Sequence, residues 1–159
     1  MINTILQISY REFHIFVAYK KKDMNYKNIN NIIGWSIWLI ASFVYISTIE
    51  STASFWDCGE FILGAHKLEV VHPPGAPLFM IIGRMFTWVA SILSSDPADI
   101  AFAVNLMSGL CTAFTAFFVA RITMIFGRMA LVGRDSETTQ GENLALGMAG
   151  LVAGLATTF

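Results

Sequence analysis

Charge is what this sequence has least of. Only 13% of its 159 residues are Asp, Glu, Lys or Arg, against about a quarter in an ordinary soluble domain. Ten basic residues face eleven acidic ones, for a net charge of −1. There is no basic surface of the kind that neutralises phosphates along a strand, so nucleic acid is excluded as a partner. Cysteine is almost as scarce. Cys58 lies in a polar stretch and Cys111 inside an apolar run, which points to neither a disulfide framework nor a CxxC metal site. No second histidine or cysteine lies at ligand spacing from His72, so zinc is not expected, and no metal or other cofactor is assigned.

What the chain has instead is oil: 55% of its residues are apolar, gathered into long runs as in membrane-spanning helices. Ile32 to Ile49 holds 18 residues without a charge, about 27 Å of helix, enough to cross a hydrocarbon core of about 30 Å. Ala76 to Leu93 is as long but carries Arg84 near its middle, and Phe102 to Phe126 contains Asn105 and Arg121. Leu144 to Phe159 is rich in small residues, among them the Gly150-x-x-x-Gly154 pair, read as plain helix packing rather than a specific dimer contact. The fold expected is therefore all-α, an integral membrane helix bundle with about four transmembrane helices at residues 32–49, 76–93, 102–126 and 144–159. Membrane lipids are its surroundings.

Arg11, Lys20, Lys21, Lys22 and Lys27 precede the first span, whereas residues 50–75 carry Lys67 among four acids. The excess of basic residues places the N-terminus in the cytoplasm and the first loop outside. Arg128 and Arg134 then fall outside, against the rule. Residues 1–31 combine apolar positions at roughly helical spacing with the lysine cluster. Their order is the reverse of a secretory signal, and they are read as a cytoplasmic lead-in to a membrane domain covering 32–159.

The informative stretch is STASFWDCGEFILGAHKLEVVHPPGAP, residues 51–77. The Ser54-x-x-Asp57 pattern has capping-box form and predicts a helix from Phe55 to Val71, lying at the outer membrane interface. Helical spacing would place Asp57, Glu60, Gly64 and Lys67 on one side of it. Asp57 then reads either as the capping carboxylate or as a general base beside Trp56, where a lipid-borne substrate arrives and water is partly excluded. Glu60 either joins it or pairs with Lys67. His72 opens a His-Pro-Pro-Gly turn that ends the helix, serving as a hydrogen-bond partner in the structure or as a donor to phosphate or sugar. Arg84, a charge at mid-bilayer, is a functional hypothesis by default, binding either a phosphate or an acid elsewhere in the bundle. Arg121 reads as a snorkelling residue near a helix end, and Asn105 as an interhelical hydrogen bonder.

The W-D-C-G-E-F block at Trp56–Phe61 and the H-P-P-G-x-P-L block at His72–Leu78, followed by Gly83-Arg84, carry a resemblance. Together they resemble the first outward loop and second span of the protein O-mannosyltransferase-like membrane family. That family is also described as domain of unknown function 2723, transmembrane protein 260-like, and glycosyltransferase family 117 of the GT-C superfamily. The resemblance is less sharp from Ile32 to Phe159, and residues 1–31 lie outside it. It implies the N-terminal part of a GT-C-like bundle and a longer enzyme of which this chain is a fragment, inactive alone. The implied reaction moves a mannose-like sugar from a lipid-linked, polyprenyl-phosphate donor to Ser/Thr of a protein acceptor. It also implies a multi-pass protein of the bacterial inner membrane with a periplasmic first loop. In such enzymes an acid of that loop is the base, which carries over to Asp57 with Glu60 as its catalytic neighbour. Trp56, His72 and Arg84 are the expected substrate-binding residues. A multi-span transporter or non-catalytic membrane subunit is the alternative. It leaves the loop without a task.

Overall fold

The computed structural model describes residues 25–73, 75–134 and 136–159, and among them every regular element is helical. α1 is Tyr26–Thr48, α2 Cys58–Lys67, α3 Pro77–Leu93, α4 Pro97–Leu131 and α5 Gln140–Thr158. Most of the 1–31 lead-in lies outside the described residues, but Tyr26 to Asn31 form the opening turns of α1. α1 starts earlier than the apolar run because Asn25 caps it, its side chain accepting from the Lys27 N–H at 3.2 Å, a common role for Asn at a helix start. α4 likewise outgrows its run of 102–126. Asp96 caps it by accepting from the Ala98 N–H at 2.9 Å, with Pro97 in the first turn, where a missing N–H costs nothing. Thr139 and Glu142 close a full capping box on α5.

α1 and α4, at 23 and 35 residues, are long and apolar enough to cross a membrane. α3 is shorter at 17 residues, and α5 opens on the polar run Gln140-Gly141-Glu142-Asn143. Outward faces carry large apolar side chains, notably Leu78, Ile81, Met85, Trp88 and Ile92 along α3. That spacing is a helical stripe turned away from the bundle. An apolar exterior over polar, capped helix ends is the surface of a membrane protein.

α4 is the spine. Its central and C-terminal part runs antiparallel to α1: Gly109 meets Tyr45, and Gly34 meets the stem of Arg121. Ile37 and Ala41 of α1 close on Ala113, Ala116 and Ala120 of α4 in one cluster. α5 fills the third side. A Cβ on Gly150 would come within 2.5 Å of Met124 and 3.0 Å of the Ala120 carbonyl, and one on Gly154 within 2.8 Å of Ile37. The Gly150-x-x-x-Gly154 pair is thus spent on packing within the chain. Small residues let backbones approach closely where lipid offers no hydrophobic drive to association.

The first part of α4 serves a second group. Ala65 of α2, Val71, Met80 of α3, and Val104 and Met107 of α4 form a separate cluster. Phe86, Val89 and Leu93 of α3 line a groove with Phe102, Ala103 and Asp99 of α4. α1 and α3 make no contact. They meet different lengths of the same helix, α3 beside its N-terminal third and α1 beside the rest. At about 1.5 Å per residue α4 is some 52 Å long, well over the bilayer core, which is what lets it carry both groups.

Candidate functional site

The expected helix over 55–71 is shorter in the structure, and the difference defines the site. α2 begins at Cys58, with Asp57 as its N-cap residue but without a side-chain capping bond. Trp56 has a φ of 68°, in the left-handed region that a bulky residue adopts only when its surroundings impose it. The chain therefore turns sharply before α2. Asp57 is thereby freed from the capping role that its spacing allowed. Phe55 and Trp56 both project from this turn, 94% exposed. At the other end α2 closes after Lys67, where Leu68 takes the left-handed conformation and the Glu69 N–H donates to the Gly64 carbonyl at 2.9 Å, a standard helix stop.

Three of the expected site residues come together. The chain returns from α2 so that His72 lies against its first turn. Glu60 grips His72 twice, accepting from its backbone N–H at 2.7 Å and pairing with ring Nδ1 at 2.9 Å. The other ring nitrogen, Nε2, faces the Asp57 carboxylate at 3.9 Å. The edge of the Phe61 ring steadies the imidazole, with centroids 5.8 Å apart. Glu60 thus pairs with His72 rather than with Lys67.

The electrostatics follow from this contact. The hydrogen bond to Glu60 raises His72 above its ordinary pKa, with the charge of Glu60 and then that of Asp57 adding to it. The His72 ring and then its backbone N–H hold Glu60 below the usual carboxylate range. Each ionised partner favours the other's charged form. Ligand atoms of Asp57, Glu60 and His72 all lie within 4.8 Å of one another, close enough to gather round a cation. A metal would need a neutral ring nitrogen of His72, so metal binding and protonation of the ring compete.

Arg84 is elsewhere. Its Nη1 donates to the His66 carbonyl, in the last turn of α2, where a cation meets unsatisfied carbonyls and the negative end of the helix dipole. Residues 60 and 66 are separated by about 9 Å along a helix axis, so Arg84 and the Asp57 cluster mark opposite ends of α2. Arg121 lays its stem on Gly34 and its guanidinium carbon 5.2 Å from the centre of the Phe117 ring.

Asn105, expected to bond between helices, does something more specific. Its Nδ2 donates to the carbonyls of Glu50 at 2.9 Å and Thr52 at 3.1 Å. Its Oδ1 accepts from the Cys58 thiol at 3.8 Å. The available signal was one amide inside an apolar run, which announces a buried partner without saying which.

The family model described as "Protein O-mannosyl-transferase TMEM260 N-terminal domain" matches residues 57–159, a stretch that opens on Asp57 and includes Glu60, His72 and Arg84. Over 83 residues the chain is 30% identical to protein O-mannosyl-transferase tmem260 of Dictyostelium discoideum, covering 52% of this chain and 10% of that protein. Over 73 residues it is 36% identical to protein O-mannosyl-transferase TMEM260 of Mus musculus, covering 46% of this chain and 10% of that protein. The chain thus matches about a tenth of the length of these curated relatives. No solved structure matches. With the greater part of its length matched by that model, including the loop that holds the clustered acids, the chain belongs to the TMEM260 N-terminal domain family.

Proposed function

We propose that this chain supplies the base-bearing outer loop and first helices of a membrane glycosyltransferase that moves a mannose-like sugar from a polyprenyl-phosphate donor to Ser/Thr of a protein acceptor. The observation that carries the reading is the Asp57, Glu60 and His72 cluster, standing on a loop in the stretch shared with proteins named O-mannosyl-transferases.

In this reading Asp57 accepts the proton of the acceptor hydroxyl as its oxygen bonds to the anomeric carbon. The bond from that carbon to the phosphate oxygen breaks, and the lipid phosphate leaves with the electron pair. Glu60 fixes His72, whose ring faces the Asp57 carboxylate and orients it. Trp56, exposed beside the base, offers an aromatic face to the sugar. Arg84 has further N–H donors besides the one spent on the His66 carbonyl, and these would meet the leaving phosphate. A base at one end of α2 and a cation at the other suit a displacement in which attack and departure occur on opposite sides of the anomeric carbon. No step calls on a metal.

The same reading places α1, α3, α4 and α5 as the first spans of a bacterial inner-membrane protein, with the N-terminus cytoplasmic, α2 at the outer interface and residues 50–75 in the periplasm. The test is sugar transfer from lipid donor to acceptor peptide by the full-length protein. Asp57→Asn should lower turnover about 100- to 10,000-fold, the usual worth of a general base, while membrane insertion stays intact. Full activity in that variant would falsify the assignment.

A further inference from the structure

We infer that Asn105 is a positioning residue for Asp57, a clamp that fixes the base-bearing loop from both ends. The inference rests on the reading of Asp57 as the base and adds the residue that holds it in place.

One side chain in α4 reaches the segment before the turn and the helix after it. The Glu50 and Thr52 carbonyls take the two N–H donors of Asn105, and the Cys58 thiol donates to its oxygen. Between these anchors lie residues 53–57, including the left-handed Trp56 and Asp57. An amide can donate two hydrogen bonds and accept on its oxygen, so all three contacts come from one planar group. A strained residue persists where neighbouring structure over-determines it. Here the strain at Trp56 sits inside a span pinned at both ends, and the direction of the Asp57 carboxylate is set by that span. Asn105 lies one turn before the point where α4 meets the end of α1 at Gly109.

No other amino acid of similar size reproduces the set. Asp in place of Asn keeps an acceptor for Cys58 but replaces the amide nitrogen, with both its donors, by an oxygen facing two carbonyls. Leu keeps the volume and loses all three bonds. The two variants therefore separate the front anchor from the rear one.

The experiment uses the full-length protein in membranes, with Cys111→Ser so that Cys58 is the thiol of this region followed. Alkylation of Cys58 by a maleimide is timed, and its site is verified by peptide mass. Sugar transfer is measured on the same preparations. Asn105→Leu should raise the Cys58 alkylation rate several-fold and lower kcat by about 10- to 100-fold, with KM for the lipid donor little changed. Asn105→Asp should lower kcat similarly while Cys58 stays as protected as in the parent. The amount of folded protein, followed by thermal unfolding, normalises both. A purely structural role would reduce folded protein and leave kcat per folded molecule unchanged, and that result overturns the inference. So does a Cys58 rate in Asn105→Leu equal to the parent's. If the parent protein transfers no sugar, it is the proposed function that fails, and the alkylation rates still decide whether the clamp exists.

Discussion

A carboxylate's neighbours decide what it can do, and at the first turn of α2 two acids three residues apart have different neighbours. Both oxygens of Glu60 are taken by His72, whereas among the described residues the Asp57 carboxylate meets only the far nitrogen of the ring, at 3.9 Å. That asymmetry, invisible in the spacing, favours Asp57 as base and Glu60 as its support. It also predicts a pH dependence. His72 has a raised pKa in the folded protein, so its contribution to holding the loop is complete below its unfolded value of about 6.5. It is lost as pH rises through the raised value. Glu60 has a lowered pKa, so its contribution is present above its unfolded value of about 4.3 and is lost as pH falls through the lowered one. The contact should be firmest in mildly acidic to neutral solution. Histidine-selective NMR of the full-length protein should place the His72 midpoint above about 6.5 and show it falling towards that value in Glu60→Gln. A midpoint indifferent to that substitution contradicts the pairing. Residue types at this site were readable from the sequence. The partnership of His72 with Glu60 was not, because it depends on where the chain returns twelve residues later.

The helices themselves were largely legible, since apolar runs and capping residues are local signals, but their ends were not. α1 gains Tyr26 to Asn31 and α4 gains both flanks, because caps and prolines rather than hydropathy set where a helix starts. α2 is cut short at both ends by residues in the left-handed conformation, Trp56 and Leu68. Neither is a glycine, so composition offered no warning. Packing between helices yields a sharper prediction. Gly150→Val would drive a side chain into Met124 and the Ala120 carbonyl and should destabilise the full-length protein by about 1–3 kcal/mol, as overpacking does. Gly141→Ala, with nothing within 4 Å of the added carbon, should be neutral or stabilising by up to about 1 kcal/mol. Thermal unfolding in detergent compares the two, and equal losses would mean that α5 does not pack as described.

At the scale of the molecule, two helix groups share α4, and the Asp57 cluster belongs to the group built from α2, α3 and the first third of that helix. If the basic residues before α1 are cytoplasmic, this end of the bundle faces outward. A membrane-impermeant maleimide should then label Cys58 in intact cells, within the limit that Asn105 shields it. Labelling confined to opened membranes would invert the orientation. The sequence by itself determined that the chain is helical and suited to a membrane, and which side chains were available for chemistry. Scarce charge and long apolar runs are properties of composition and period, and they survive without knowledge of any contact. Only the tertiary structure decided that Glu60 serves His72, that Arg84 stands at the far end of α2, and that Asn105 of α4 bonds the loop on both sides of its turn. Each of those facts joins residues 12 to 55 positions apart, and no local pattern encodes which distant carbonyl or carboxylate a donor will meet.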